Sequence, residues 1–223
     1  MGGTRNYGDA CAAAHALDLV GERWALLVVR ELLLGPKRFS DLRAGLPNAG
    51  PNRLSQRLRE LEESGIVRRR KLGPPGRFWV YELTEWGRQL QPVLVHLGHW
   101  GRLSPFRDLD AGISVDALML ALQGDFDAEA SGGLTATYGL VFGDDHITVR
   151  VSGGRIDVAR GEPSAPDATV TADTRTFAGL MTGKLAVEEA VSAGQVTVSG
   201  DLAAVGRLFA SLPRPRTVAA PPA

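Results

Sequence analysis

Between residues 9 and 102 the apolar side chains recur mainly at helical spacing. Trp24, Leu27, Val28 and Leu32 share one face and predict a helix that Gly35-Pro36 stops. Ser40 reads as the N-cap of a short helix with Leu42 and Leu46 turned inward. After the break Pro47-Asn48-Ala49-Gly50, another helix opens with Pro51 in its first turn. Its stripe of Leu54, Leu58 and Leu61 ends at Gly65, a glycine suited to the position just past a helix, and Ile66 and Val67 then re-enter the core. The pair has helix-turn-helix proportions.

Residues 68 to 83 follow a strand pattern broken around Gly73-Pro74-Pro75-Gly76, which predicts a β-hairpin led by Arg68, Arg69, Arg70 and Lys71. Thr84 then caps an expected final helix with the stripe Leu90, Val93, Leu94, Leu97 and Trp100, near whose start Pro92 must sit or introduce a kink. That stripe is more than one small domain needs. Pro, Asp and Gly interrupt the pattern from 105 to 114, and a helix is expected from Val115 to Gln123. Strict alternation at Leu134, Ala136, Tyr138, Leu140 and Phe142, then at Ile147, Val149 and Val151, crosses Gly153-Gly154 to Ile156 and Val158. This predicts an antiparallel meander. Helical patterns around Phe177 and Val187, a strand at 196 to 198 and a helix bearing Leu202, Val205, Leu208 and Phe209 complete the reading. The expected class is α+β. Residues 1–104 form a winged helix-turn-helix domain, 105–114 a linker, 115–212 an α+β domain and 213–223 a disordered tail.

Composition changes this picture at one point. The net charge is zero, but residues 1–104 carry 16 basic against 10 acidic side chains and residues 105–223 carry 9 against 15. Only the first half has the charge to approach phosphates. A single cysteine, Cys11, rules out an internal disulfide. No stretch reads as a signal peptide or a membrane span, so a cytoplasmic protein without membrane contact is expected. His96 and His99 lack a third metal ligand, and no nucleophile elbow, phosphate loop or carboxylate pair is present. The expectation is therefore a protein without enzymatic activity, metal or cofactor.

A helix that enters the major groove needs an apolar back and long donors in front. Asn52, Arg53, Ser55, Gln56, Arg57 and Arg59 lie off the leucine stripe, with Asn52, Arg53 and Gln56 placed for bases and Arg57 and Arg59 for phosphates. The bland reading of the same helix is a solvated amphipathic surface. Ser40 joins the candidate set, and Arg68, Arg69, Arg70, Lys71 and Arg77 fall where a wing would reach the DNA backbone or minor groove.

The blocks Leu19 to Trp24, Gly35 to Leu42, Leu54 to Gly65 and Tyr81 to Gly87, together with Cys11, resemble the HxlR family of bacterial regulators. The resemblance covers about residues 9 to 101. It implies a winged helix-turn-helix homodimer, paired through its first helix and the helix after the wing, on a pseudo-palindromic double-stranded operator. Ala12, where proline is usual, and Ala49-Gly50 depart from the pattern. From 115 to 212 the order of elements resembles the sterol carrier protein domain, which implies a cavity for a small hydrophobic effector. Tyr138, Leu140, Phe142, Phe177, Leu180, Met181 and Phe209 are its candidate lining, and each reads equally as ordinary core. The resemblance also implies oxidant or electrophile sensing at Cys11, although its alanine flanks read as those of a small buried hydrophobe. The competing class is a hydrophobic-ligand carrier whose helix-turn-helix only dimerises.

Overall fold

Wherever the apolar period in the first half approaches 3.6, the chain is helical: α1 (Ala12–Val20), α2 (Ala25–Leu32), α3 (Phe39–Gly45) and α4 (Pro51–Glu63). The computed structural model describes residues 6–73, 78–108 and 111–213. It divides into two units, Met1–Leu94 and Val95–Ala223. Of the expected tail, all but Pro213 lies outside the described residues.

In the first unit, Val28, Val29 and Leu32 of α2, Leu42 of α3 and Leu54, Leu58 and Leu61 of α4 are buried. Pro51 opens α4, where its missing N–H has no helical partner to lose. At the other end Gly65 turns left-handed, at φ 75°. The Ile66 N–H can then donate to the Leu61 carbonyl at 2.9 Å, and the Gly65 N–H to Glu62 at 3.0 Å.

Two local expectations need correction. Trp24 precedes α2 instead of lying on it, and at φ 79° it is the one non-glycine residue with left-handed backbone among those described. The face of α2 that turns inward is consequently Ala25, Val28, Val29 and Leu32, while Trp24 and Leu27 stay half-buried. Ser40 is not the cap of α3. Arg38 holds that position, and its N–H donates to Asp41 Oδ2 at 3.0 Å.

A carboxylate lies deep inside this unit. Glu31 of α2 is fully buried and accepts from Lys37 Nζ and from Arg30 Nη2, each at 2.8 Å. Gly45 leaves room for it, since a Cβ there would stand 2.1 Å from Glu31 Oε2. The Lys37 backbone exchanges hydrogen bonds of 2.9 and 2.8 Å with Tyr81. Tyr81 belongs to β2 (Trp79–Leu83), which pairs antiparallel with β1 (Val67–Lys71).

Thr84 Oγ1 accepts from the Gly87 N–H at 3.0 Å and caps α5 (Glu85–Arg88). The expected single helix is two, because the chain restarts as α6 (Gln91–Arg102) with Pro92 in its first turn. On α6 only Leu94 is buried, while Val93, Leu97 and Trp100 are exposed.

The second unit contains α7 (Val115–Asp125), β3 (Ala136–Phe142), β4 (Asp145–Ser152) and β5 (Arg155–Arg160). The three strands form the expected meander, with Gly153 and Gly154 both at positive φ in the tight turn. The strand pattern did not reveal β6 (Ala168–Thr171), which pairs parallel to β3. After α8 (Thr174–Met181) and α9 (Val187–Ser192), β7 (Thr197–Gly200) pairs with β6, and α10 (Leu202–Ala210) follows. Among the described residues the sheet runs β5-β4-β3-β6-β7, mixed in direction. Arg160 ties it to α7, pairing with the buried Asp116 at 2.7 Å and with Asp145.

Tyr138 lies wholly inside this unit and donates its hydroxyl to the Ala204 carbonyl of α10 at 2.9 Å. Burial pushes its phenol up to about 12. A phenol that ionises near 10 when unfolded and near 12 when folded supports the fold fully below about pH 10 and loses that support as pH rises toward 12. Urea unfolding across the alkaline range is expected to show this loss. Tyr138→Phe removes the step, at a cost of about 1 kcal/mol at neutral pH.

Candidate nucleic-acid interface

Behind α4 its leucines are buried, and in front Asn52, Arg53, Gln56 and Arg59 are exposed, with Ser55 half-buried. Asn52 and Arg53 occupy the first turn, the end of a helix that presents free N–H groups and a positive dipole to an anion. Gln56 donates to Glu60 Oε1 at 3.0 Å. Arg57 is different in kind: its side chain is 13% exposed and pairs with Glu60 and, at 3.7 Å, with Glu22. Ser40 is exposed on α3, where its hydroxyl donates to Asp41 Oδ1 at 3.0 Å.

The two-residue period of a strand sorts the hairpin cations onto opposite faces. Arg68 stands across from Glu82 and Arg70 across from Val80. Both guanidinium groups close on Glu82, at 2.7 and 2.8 Å. Burial pushes the Glu82 carboxyl up, but Arg70 and Arg68 outweigh it and hold the group below its ordinary value. Arg69 lies on the other face, its guanidinium 4.5 Å from the centre of the half-exposed Trp79 ring and 5.9 Å from that of Tyr81. Lys71 is exposed opposite Trp79. Arg38 stacks on Phe78 at 3.3 Å. Arg77 lies outside the described residues. Sequence reasoning missed Glu82, Trp79 and Glu60 as partners of these cations. Counting back from the Gly73–Gly76 break sets Tyr81 opposite Arg68, one residue from the observed partner Glu82, so the turn residues alone did not name these partners.

Beside α4 a concavity of about 1020 Å³ is lined by Tyr7, Leu17, Asp18, Glu22, Arg57 and Glu60, among others. Cys11 lies at the head of α1 and is exposed, so the buried-hydrophobe reading is overturned. Its thiol is held below the usual range by the backbone N–H groups of Ala14 and Ala13.

In the second unit Tyr138, Leu140, Phe142, Phe177, Leu180 and Met181 are buried and Phe209 is half-buried. Phe177 meets Phe142 and Phe209 edge-on, at 5.1 and 5.3 Å between ring centres. The candidate lining is thus buried or half-buried throughout, and three of its aromatic rings pack together. His99 Nε2 lies 3.1 Å from the Gly124 carbonyl and 3.2 Å from Asp125, which also binds Arg102. Among the described residues no cluster of His, Cys, Asp and Glu is arranged to hold a metal ion, and no helix is long and apolar enough to cross a membrane.

Comparison with known proteins divides the chain in the same order. The model of the HxlR-like helix-turn-helix family matches residues 19–106, and that of the alkyl sulfatase C-terminal family matches residues 108–218. The uncharacterized HTH-type transcriptional regulator YvaP of Bacillus subtilis is 40% identical over 96 residues, which cover 43% of this chain and 89% of YvaP. YdeP of the same organism, similarly described, is 37% identical over 95 residues, covering 42% of this chain and 73% of YdeP. Among solved structures, the reduced regulator YodB of B. subtilis aligns at 34% identity and TM-score 0.39, over 44% of this chain and 97% of that one. A double mutant of the sec-alkyl sulfatase PisA1 aligns at 23% identity and TM-score 0.42, over 45% of this chain and only 16% of the sulfatase. With its first half matched along most of two transcriptional regulators, this chain belongs to the HxlR-like helix-turn-helix family.

Proposed function

We propose that the protein is a homodimeric, sequence-specific DNA-binding regulator whose second unit binds a small hydrophobic effector. The observation that carries the reading is the front of α4. Four exposed polar side chains, Asn52, Arg53, Gln56 and Arg59, are backed by three buried leucines, and the hairpin that follows carries Arg69 and Lys71 on its free face. Arg and Lys there meet phosphate, while Asn52, Arg53 and Gln56 read base edges. Exposed apolar side chains on α6, Val93, Leu97 and Trp100, and Leu17 on α1 support pairing with a second copy. With about four phosphate contacts per subunit, the log-affinity slope against log salt would be about −7 for the dimer.

The effector reading draws on the α+β unit's likeness to the sterol carrier protein domain and on the match to the alkyl sulfatase C-terminal family. On this reading the buried Tyr138, Phe142 and Phe177 and the half-buried Phe209 re-pack around an alkyl chain. In this proposal residues 1–104 bind DNA and dimerise, 105–114 link, and 115–212 sense. A carrier whose helix-turn-helix only dimerises would have no use for the cations of α4 and the wing.

A second reading is favoured by one observation: Cys11 is exposed and its thiol lowered, so at neutral pH more of it is thiolate than in an ordinary cysteine. Control of DNA binding by oxidants or electrophiles would act there.

Two experiments test these readings. Arg59→Ala combined with Arg69→Ala is expected to weaken binding to a duplex selected from a randomised library by about 100-fold at moderate salt and to shallow the salt slope by about 4 in the dimer. A double variant with wild-type affinity would count against the DNA surface as drawn. Treatment with diamide is expected to release wild-type protein from that duplex and leave Cys11→Ser bound. Equal release of both would exclude the thiol reading.

A further inference from the structure

Arg57 stands apart from the other arginines of α4. Arg53 and Arg59 are exposed, whereas the Arg57 side chain is 13% exposed at the wall of the concavity beside the helix. Carboxylates from two elements hold it. Glu60 lies one turn along α4, and Glu22, at 3.7 Å, belongs to the turn between α1 and α2. Gln56 joins the same group through Glu60. With its side chain 13% exposed and its charge already matched by two carboxylates, this guanidinium presents little surface to a phosphate. The turn that supplies Glu22 is itself closely defined: Trp24 has left-handed backbone, and Arg23 stacks 5.1 Å from its ring centre. The link therefore joins this turn to the helix whose orientation decides which side chains face outward.

We propose that Arg57 is a positioning residue, one that fixes α4 against the α1–α2 turn through Glu22 and Glu60 so that Asn52, Arg53 and Arg59 meet DNA in register, and that makes no phosphate contact of its own. This rests on the DNA-binding reading above. A helix turned slightly out of register keeps its phosphate attraction but loses its alignment with base edges, so the loss falls on sequence-specific binding.

The test uses the full chain, the duplex it selects from a randomised library and an unselected duplex of equal length, with thermal melting to confirm folding. Arg57→Gln is expected to bind the unselected duplex slightly more weakly, as the loss of one positive charge requires, and to lose about fivefold more than that at the selected duplex, with the salt slope unchanged. Glu22→Gln separates positioning from simple charge. Removing a negative charge would by itself tighten binding to both duplexes, whereas loss of the link weakens binding to the selected duplex alone, by about threefold. Arg57→Lys, which keeps a cation between the carboxylates, recovers part of the loss. A slope shallower by about 0.9 per subunit in Arg57→Gln overturns the proposal, as does Glu22→Gln protein that binds the selected duplex as tightly as wild type or more so. Wild-type protein that selects no duplex removes the DNA-binding reading and this proposal with it, a failure seen before any variant is made.

Discussion

A carboxylate that water cannot reach organises the first unit. Left without partners, Glu31 would cost several kcal/mol, so Lys37 and Arg30 must be at hand whenever the unit is folded. Arg30 is its neighbour on α2, but Lys37 lies beyond the helix and must be brought back to it. That return sets the rest. The Lys37 backbone becomes the bridge partner of Tyr81, which fixes β2, and β2 fixes β1 through its ladder. Gly45 records the same constraint from the side of α3, where only a residue without a Cβ clears Glu31. The hairpin thus takes its place from an ion pair inside the domain.

The same economy of charge shapes the surface. Basic side chains exceed acidic ones in this half, but Arg57, Arg68 and Arg70 are already matched by carboxylates of the chain. Among the described residues the cations left outward include Arg53 and Arg59 on α4 and Arg69 and Lys71 on β1, with Arg43 on α3 and Arg23 and Arg38 in the segments before α2 and α3. An excess of charge read along the sequence therefore overstates what a polyanion would meet, and the register of one hairpin decides by how much. Arg69 is further restrained by the aromatic face beneath it, which reduces the freedom lost on contact.

What the sequence disclosed follows from the reach of each rule. Leu54, Leu58 and Leu61 with Pro51 and Gly65 defined α4 almost to the residue, because period, first-turn proline and terminal glycine agree there. Trp24 was misplaced because its apolar side chain continues the helical period while its backbone does not. Ser40 lost the cap because Arg38, one residue before Phe39, ends the extended segment that bridges to β2. The strand β6 was missed because Ala168 to Thr171 is four residues long and follows a run rich in Gly, Pro and Ser. At the site, exposure of α4 residues could be read from the period, but the partners of Arg57 come from a different element, and no local pattern names them. Cys11 shows the converse: its alanine flanks suggested burial, but α1 buries only Val20.

The parallel pairing of β3 with β6 also orders events in time. The meander β3-β4-β5 is local and can form as soon as residues 136–160 are available. Its β3 edge then stays bare, with unpaired backbone groups, until β6 arrives from beyond the meander and β7 covers β6 in turn. During synthesis that interval lasts until residue 200 has left the ribosome. The second unit is accordingly the slower half of the protein to mature, and the open edge of β3 is where a nascent chain would pair with the wrong neighbour.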